Sequence, residues 1–291
     1  MRTRNGHATA LTILIMMSMI TPMFFSVSNA GDAGGSINTN TEWSGSISLT
    51  DSVIVERGVT LTIKSGTIVD AGEFEIVVDG TLSAIDSIFM SSLTSGSQGN
   101  NNIGIWGGMD VTPNGSVSFS NVSIQNSRTA LNLAGNANIN SLTIEQSYIG
   151  LVVDGTLTGA TISCESVDFE CISVSGNAQI SELQSINTSF GIIQSGHAEI
   201  QNANLENVGI GFKIDGGSGF YDNIQLDTVN TGLVVRGTTT VAVSNVTGTN
   251  LSLMLDASMS DGFSMKNVNA TTNKVIKAEG VSTLELSNMD Y

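Results

Sequence analysis

The sequence has 291 residues, of which 26 are acidic and 10 are basic, so its formal net charge is −16. A surface this acidic argues against nucleic acid and anionic lipid as partners. Hydrophobic residues make up 40% of the chain, which is too many for a disordered protein. The chain has only 2 prolines but 32 glycines, and it is rich in Ser, Thr, Asn and Val, a composition typical of short strands joined by tight turns.

The first thirty residues have the pattern of a secretory signal peptide. Arg2 and Arg4 precede an apolar run over residues 10–20, and small residues at 28–30 favour cleavage before Gly31. The alternative is an uncleaved membrane anchor, although a proline and several Ser and Thr residues interrupt the run. Cleavage would remove two of the 10 basic residues and none of the 26 acidic ones, which leaves a net charge of −18. No later run is apolar enough to span a bilayer, so we expect a secreted or cell-surface protein.

Residues 31–114 are predicted to form irregular entry coils. The hexamer VVDGTL occurs at residues 77–82 and again at residues 152–157, and we interpret it as a corner between two strands rather than as a copied site. Residues 91–104 are polar and are predicted to be an inserted loop. The same kind of alternating strand pattern precedes and follows this loop.

Residues 115–291 are predicted to form regular coils. Glycines recur every 20 or 21 residues, at Gly115, Gly135, Gly155, Gly176, Gly196, Gly216 and Gly237. Each repeat contains three short runs in which apolar and polar residues alternate, the pattern of strands with one buried face. The corners between these runs are too short for helices, and an antiparallel meander would not need so strict a period. We therefore predict an all-β, single-stranded parallel β-helix (solenoid) in which each repeat forms one coil.

The repeats align like residues in columns, which we predict to point inward. One predicted inner column contains Phe119, Ile139, Ile180, Ile200, Phe220 and Val241. A second contains Leu131, Leu151, Ile192, Phe212, Leu233 and Leu253. A polar ladder is predicted at one corner, at Asn126, Gln146, Ser166, Asn187 and Asn207. Beyond it a second corner position, which we expect to need a positive φ, holds Gly150, Gly191, Gly211 and Gly232. The C-terminal coil has no evident cap, so we expect a partner or a further domain to cover it.

Three stretches carry a resemblance to a known family: the phrases GVTLTIKSGTIV and VVDGTL, residues 105–108, and corners such as residues 207–214. They resemble secreted right-handed parallel β-helix proteins, the pectate-lyase-like superfamily in the broad sense. The resemblance covers nearly all of the chain after residue 30, and it implies a right-handed coil. It also implies either a surface protein without a known reaction or an enzyme that cleaves acidic polysaccharide. The NTD, DD, GHG and RIK motifs of the family's inverting hydrolases are missing, and Gly196-His197-Ala198 is a fragment of only one.

Glu145 and Glu165 are the best carboxylate pair in the sequence. They share one column in adjacent coils, so we expect them to lie roughly 5 Å apart. That separation suits a retaining glycosidase or a shared Ca²⁺. The column lies at a corner with no aromatic platform evident beside it, which favours a solvated or calcium-bridged ladder over catalysis. Calcium is the only cofactor that we consider.

Cys164 and Cys171 are the only cysteines, and they lie in one coil. In an exported protein such a pair predicts a disulfide. The two residues can meet if the extra residue of this 21-residue repeat lies between them. Two buried thiols are the alternative.

These observations predict an exported, cell-surface or extracellular module with a structural or binding role. Its flat faces and the loop at residues 91–104 would contact glycans or surface proteins. The alternative is a polysaccharide lyase or glycoside hydrolase. Stacked aromatic residues in a groove, together with converging Asp and Arg, would favour the enzyme, and the sequence contains only 2 Trp and 3 Tyr.

Overall fold

The computed structural model describes residues 26–93, 105–281 and 284–290, which form 22 strands and no helix. The strands are β1 (Ser26–Ile37), β2 (Thr41–Val55), β3 (Thr60–Ile63), β4 (Ile68–Asp70), β5 (Glu75–Val78), β6 (Thr81–Met90), β7 (Trp106–Val111), β8 (Ser116–Gln125), β9 (Ser127–Leu133), β10 (Asn136–Glu145), β11 (Ile149–Val153), β12 (Thr156–Glu165), β13 (Glu170–Val174), β14 (Asn177–Gln194), β15 (His197–Ile200), β16 (Ala203–Ile214), β17 (Gly217–Asp227), β18 (Thr231–Leu251), β19 (Leu253–Asp261), β20 (Phe263–Thr272), β21 (Ile276–Glu279) and β22 (Leu284–Asp290). Among the described residues, no helix could cross a membrane.

The strands wind into a parallel solenoid of about 11 turns. Each strand pairs in parallel with strands one turn before and one turn after it, as β10 does with β8 and β12. The same relation continues from β12 to β14 and from β14 to β16. The predicted all-β class and the predicted parallel coil are therefore confirmed.

Each turn contributes to three faces, which we name from the turn that contains β10 and β11. The first face is formed by residues 136–139 and their counterparts, the second by residues 142–145, and the third by β11. Successive side chains of a strand point to opposite sides, so every second residue enters the core. In this turn the buried residues are Ala137, Ile139, Leu142, Ile144, Leu151 and Val153. One apolar core therefore runs along the axis inside the three faces.

The repeated hexamer VVDGTL is a corner from the third face to the first. Val78 and Val153 lie in one inner column, which continues through Val111 and Leu133. The amides of Asp154 and the following glycine both donate to the Leu133 carbonyl, at 2.9 and 2.8 Å. The first copy repeats this arrangement against the Val55 carbonyl. A Cβ on Gly155 would lie 2.0 Å from the Gly135 carbonyl oxygen, so the stacked corners admit only glycine. The interpretation of the hexamer as a backbone path is correct.

The corner from the second face to the third carries the predicted polar ladder. The five residues of that ladder have left-handed backbones, with φ of 49° to 57°. Asn207 donates from its side-chain amide to the Asn187 side-chain oxygen at 2.7 Å, and Asn126 donates to the Ser91 carbonyl at 3.2 Å. Asparagine tolerates this backbone region better than other residues with a Cβ.

The glycines of the next column have a different cause from the one predicted. Gly150, Gly191, Gly211 and Gly232 are absent from the described residues with positive φ, so the expectation of a left-handed corner is wrong there. The backbones of adjacent turns approach closely instead. A Cβ on Gly211 would lie 2.6 Å from the Gly232 carbonyl oxygen.

The predicted inner columns are correct up to Ile214 and wrong beyond it. Ile200 pairs with Tyr221, while Phe220 points outward and is 42% exposed. The corner after Ile214 is one residue longer than the corner after Gln194, which moves every later residue by one position.

A second lengthening follows after Val235. Tyr221 pairs with Val243, and Leu233 pairs with Leu255, so the repeat is 22 residues here. Val243 and Leu255 therefore continue the two columns in which the sequence predicts Val241 and Leu253.

The shifted turn buries a polar pair inside the core. Gln194 and Tyr221 are both fully buried, and the Tyr221 hydroxyl donates to the Gln194 side-chain oxygen. The Gln194 amide donates to the carbonyls of Gly196 and Ser218, at 3.0 and 2.8 Å. Because the pair is fully hydrogen-bonded, the cost of burying it is small.

Parts of two predicted segments lie outside the described residues. The signal peptide is described only from residue 26, and β1 runs across the predicted cleavage point before Gly31. The inserted loop at residues 91–104 is described only up to residue 93. Both segments stay predictions.

Candidate functional site

An exposed ladder of three aromatic rings lies where the second face turns into the third. The rings of Tyr148 and Phe169 are stacked with centroids 6.0 Å apart and planes inclined by 16°. The rings of Phe169 and Phe190 meet edge to face at 5.3 Å. Tyr148 is 44% exposed and Phe169 is 38% exposed. We call these three residues the aromatic ladder.

The aromatic ladder continues into an apolar outer surface of the third face. The outward residues of this face include Ile149, Val152, Phe190, Ile193 and Ile210, and all of them are partly exposed. These side chains alternate with the buried residues of the same strands, so they lie outside the core. The third face is thus apolar on both sides.

A disulfide encloses the corner that presents Phe169. Cys164 and Cys171 are bonded and fully buried, with their Cα atoms 5.6 Å apart. Ile144 and Leu151 are seven residues apart, whereas their counterparts Cys164 and Ile172 are eight apart. The extra residue therefore lies within the corner, at the place where the predicted disulfide requires it. The bond fixes the backbone that carries the central ring of the ladder.

Glu170 is the one buried acidic residue among the described parts of the chain, with 8% exposure. It pairs in register with Phe190, and it follows Phe169 directly. Burial raises the pKa of the Glu170 carboxyl, and the positive charge of Lys213 opposes this shift. Lys213 itself contacts Asp215 at 2.6 Å. The described residues give the Glu170 carboxylate no hydrogen bond and no direct ion pair.

Glu145 and Glu165 are in register in adjacent turns at the end of the second face. Glu145 accepts a hydrogen bond of 3.1 Å from the Gln125 side-chain amide, which continues the column by one turn. The aromatic residues Tyr148 and Phe169 follow the two glutamates by three and four positions. The sequence analysis, which found no aromatic platform beside this column, missed that proximity.

A metal site is not formed by the described residues in the usual way, since no three His, Cys, Asp or Glu side chains converge there. Calcium bound between Glu145 and Glu165 stays a prediction. His197 lies on the first face, where its ring contacts Ser218 Oγ at 2.9 Å and Glu199 at 3.3 Å. These contacts hold the ring on the outer surface.

Four clefts lie elsewhere on the molecule. Their volumes are about 210, 260, 320 and 450 Å³, and neither Glu145 nor Glu165 lines any of them. The 450 Å³ cleft is a polar groove on the second face, lined by Glu182, Asn202, Asn204 and Gln225 among others.

The signal for the aromatic ladder was present in the repeats. Tyr148, Phe169 and Phe190 recur at intervals of 21 residues, in step with the coils. Their side of the strand could not be assigned because the corner of the disulfide coil contains the extra residue. An alternation pattern fixes the inner face only where its phase is known.

No protein-family model and no curated protein matches this chain. One solved structure that is similar is endopolygalacturonase I from Stereum purpureum in complex with two galacturonate. It is 15% identical, with a TM-score of 0.46, and the alignment covers 92% of this chain and 95% of that one. The galacturonate belongs to that enzyme.

Proposed function

We propose that this protein is an exported β-solenoid that binds glycan chains on its third face without cleaving them. The observation that carries the proposal is the exposed aromatic ladder of Tyr148, Phe169 and Phe190. Large aromatic side chains are normally buried, and contiguous exposed apolar surface marks a binding site. Flat rings in a row suit the apolar faces of successive sugar rings.

The ladder is also rigid. Its rings stand on paired strands whose turns repeat every ~4.8 Å, and the disulfide fixes the corner at Phe169. A preorganised surface binds with a smaller loss of conformational entropy than a mobile loop. Rigidity therefore supports a binding role for this corner.

Binding fits the acidic residues better than cleavage does. A glycosidase places two carboxyl groups on either side of the scissile bond. Glu145 and Glu165 follow one another along a single column, and Glu145 is already hydrogen-bonded to Gln125. The rival function, a polysaccharide lyase or glycoside hydrolase, would need a cleft at this column.

The test is retention of the purified protein on a panel of neutral, acidic and amino-sugar polysaccharides, with release of reducing and unsaturated ends measured in parallel. We expect retention without product. The double variant Tyr148→Ala/Phe169→Ala should lose retention. Phe220→Ala is the matched control, because Phe220 is equally exposed but lies on the first face. Equal loss in both variants, or release of product, would contradict the proposal.

Export is part of the proposal, supported by the sequence pattern of residues 1–30 and by the disulfide. N-terminal sequencing of the protein recovered from the medium or cell surface should begin at Gly31. A chain that stays in the cytosol with its first residues intact would argue against export.

A further inference from the structure

Glu170 presents an unusual combination of burial and isolation. The side chain is on the outer surface of the third face, yet it is 8% exposed. Within the described residues no donor contacts its carboxylate, and the ammonium group of Lys213 is engaged with Asp215 at 2.6 Å. A buried carboxylate without a donor is costly. A ligand that brings a donor would remove this cost.

The neighbours of Glu170 are apolar rings and aliphatic chains. Phe190 is its partner in the next turn, and Phe169 precedes it in the chain. Because Leu151 pairs with Ile172, Ile149 is its counterpart in the preceding turn. A carboxylate among aromatic faces is suited to an ammonium group, which gains a charge-assisted hydrogen bond and contact with the rings.

The charges around the ladder differ along its length. Arg128 is in register with Tyr148, because the next pair is Thr129 and Ile149. It therefore stands two turns, about 10 Å, from the Glu170 end. Glu145 and Glu165 lie on the adjoining second face. The Glu170 end of the ladder is thus acidic.

We propose that the glycan bound on the third face carries free amino groups, and that Glu170 is the specificity-determining residue that accepts their ammonium donors. The rings of Tyr148, Phe169 and Phe190 stack on the sugar units and face the same cations. A polymer of uronic acids is disfavoured, because it would bring carboxylates against Glu170. This inference rests on the proposed glycan-binding function and names its substrate class.

The test compares two oligosaccharides with the same backbone, a β-1,4-linked glucosamine oligomer and its fully N-acetylated counterpart. Affinity is measured by calorimetry at a pH at which the amines are protonated. We expect the glucosamine oligomer to bind at least about tenfold more tightly. The isosteric variant Glu170→Gln should lose this difference and keep its circular dichroism spectrum. Glu182→Gln, which removes the same charge on the second face, should keep the difference.

Arg128→Gln adds a further discrimination. If the ligand is cationic, this change leaves affinity for the glucosamine oligomer unchanged or improves it. Loss of affinity in Arg128→Gln together with a gain in Glu170→Gln would overturn the inference in favour of an anionic glycan. Equal binding of both oligomers would also overturn it and leave glycan binding intact. Absence of binding to every glycan of the panel would instead overturn the proposed function.

Discussion

The second and third faces share one inner plan and differ on the outside. Inside, both present apolar columns, such as Leu142 and Ile144 on the second face and Leu151 and Val153 on the third. The outward column of the second face is polar and contains Ser123, Thr143, Ser163, Gln184, Asn204 and Gln225. The outward side of the third face is apolar, with the aromatic ladder at its corner. The fold requires only the inner columns, so the apolar outer side of the third face has a different cause, which we assign to ligand binding.

The largest expected effect tests the difference between the two sides of the third face. Leu151→Ala removes a fully buried side chain and should lower the free energy of unfolding by about 3 kcal/mol. Val152→Ala changes the adjacent outward residue and should cost less than about 1 kcal/mol. Urea denaturation of both variants measures the comparison. Equal costs would mean that the outer side is part of the core.

The disulfide is next in expected size. Replacing both residues, Cys164→Ala/Cys171→Ala, should lower the free energy of unfolding by about 2 kcal/mol, because a short crosslinked loop restricts the unfolded chain. The corner that carries Phe169 should also become less rigid, so glycan retention should fall. Reduction of the native protein under mild conditions provides the control. Unchanged retention in both samples would show that the bond does not support the ladder.

The aromatic ladder itself should produce a graded loss of binding. Phe169→Ala, which removes the central ring and its contacts with both neighbours, should weaken glycan affinity about tenfold. Tyr148→Ala removes an end ring and should have a smaller effect. Gln184→Ala on the second face is the matched comparison, and calorimetric titration is the measurement. A larger loss in Gln184→Ala would place the binding site on the second face.

The smallest expected effect concerns Glu170 and pH. Burial raises the pKa of its carboxyl, so the ionised form is disfavoured in the folded state. The resulting penalty is absent below the unfolded value of 4.5 and develops as the pH rises through the folded pKa. Glu170→Gln should therefore stabilise the protein by about 1 kcal/mol at pH 7 and have little effect at pH 4. Thermal melts at both values measure this, and an equal shift at both would contradict the assignment.

The sequence predicts the architecture because stacking repeats the same requirements in every turn. The columns of Ile139 and Leu151, the polar corners and the path of VVDGTL all follow from one alternation and one period. The predictions fail where the period changes. The corner between the third and first faces gains one residue before Tyr221 and another before Val243, which no local pattern marks.

The candidate site was harder to predict than the fold for the same reason. Glu145 and Glu165 were found because they follow the regular register of the second face. Phe169 and Glu170 lie in the one corner that holds an extra residue, so their side of the strand could not be read from the alternation. Burial of Glu170 without a donor depends on packing between turns, which only the structure contains.

The most direct test of glycan binding by the third face is hydroxyl-radical footprinting of the unmodified protein, with and without the glycan that it retains most strongly. Mass spectrometry would measure oxidation of Tyr148, Phe169 and Phe220, which are comparably exposed in the free protein. We predict that the glycan protects Tyr148 and Phe169 and leaves Phe220 unchanged. Protection of Phe220, or of none of the three residues at saturating glycan, would contradict the assignment of the third face as the binding site.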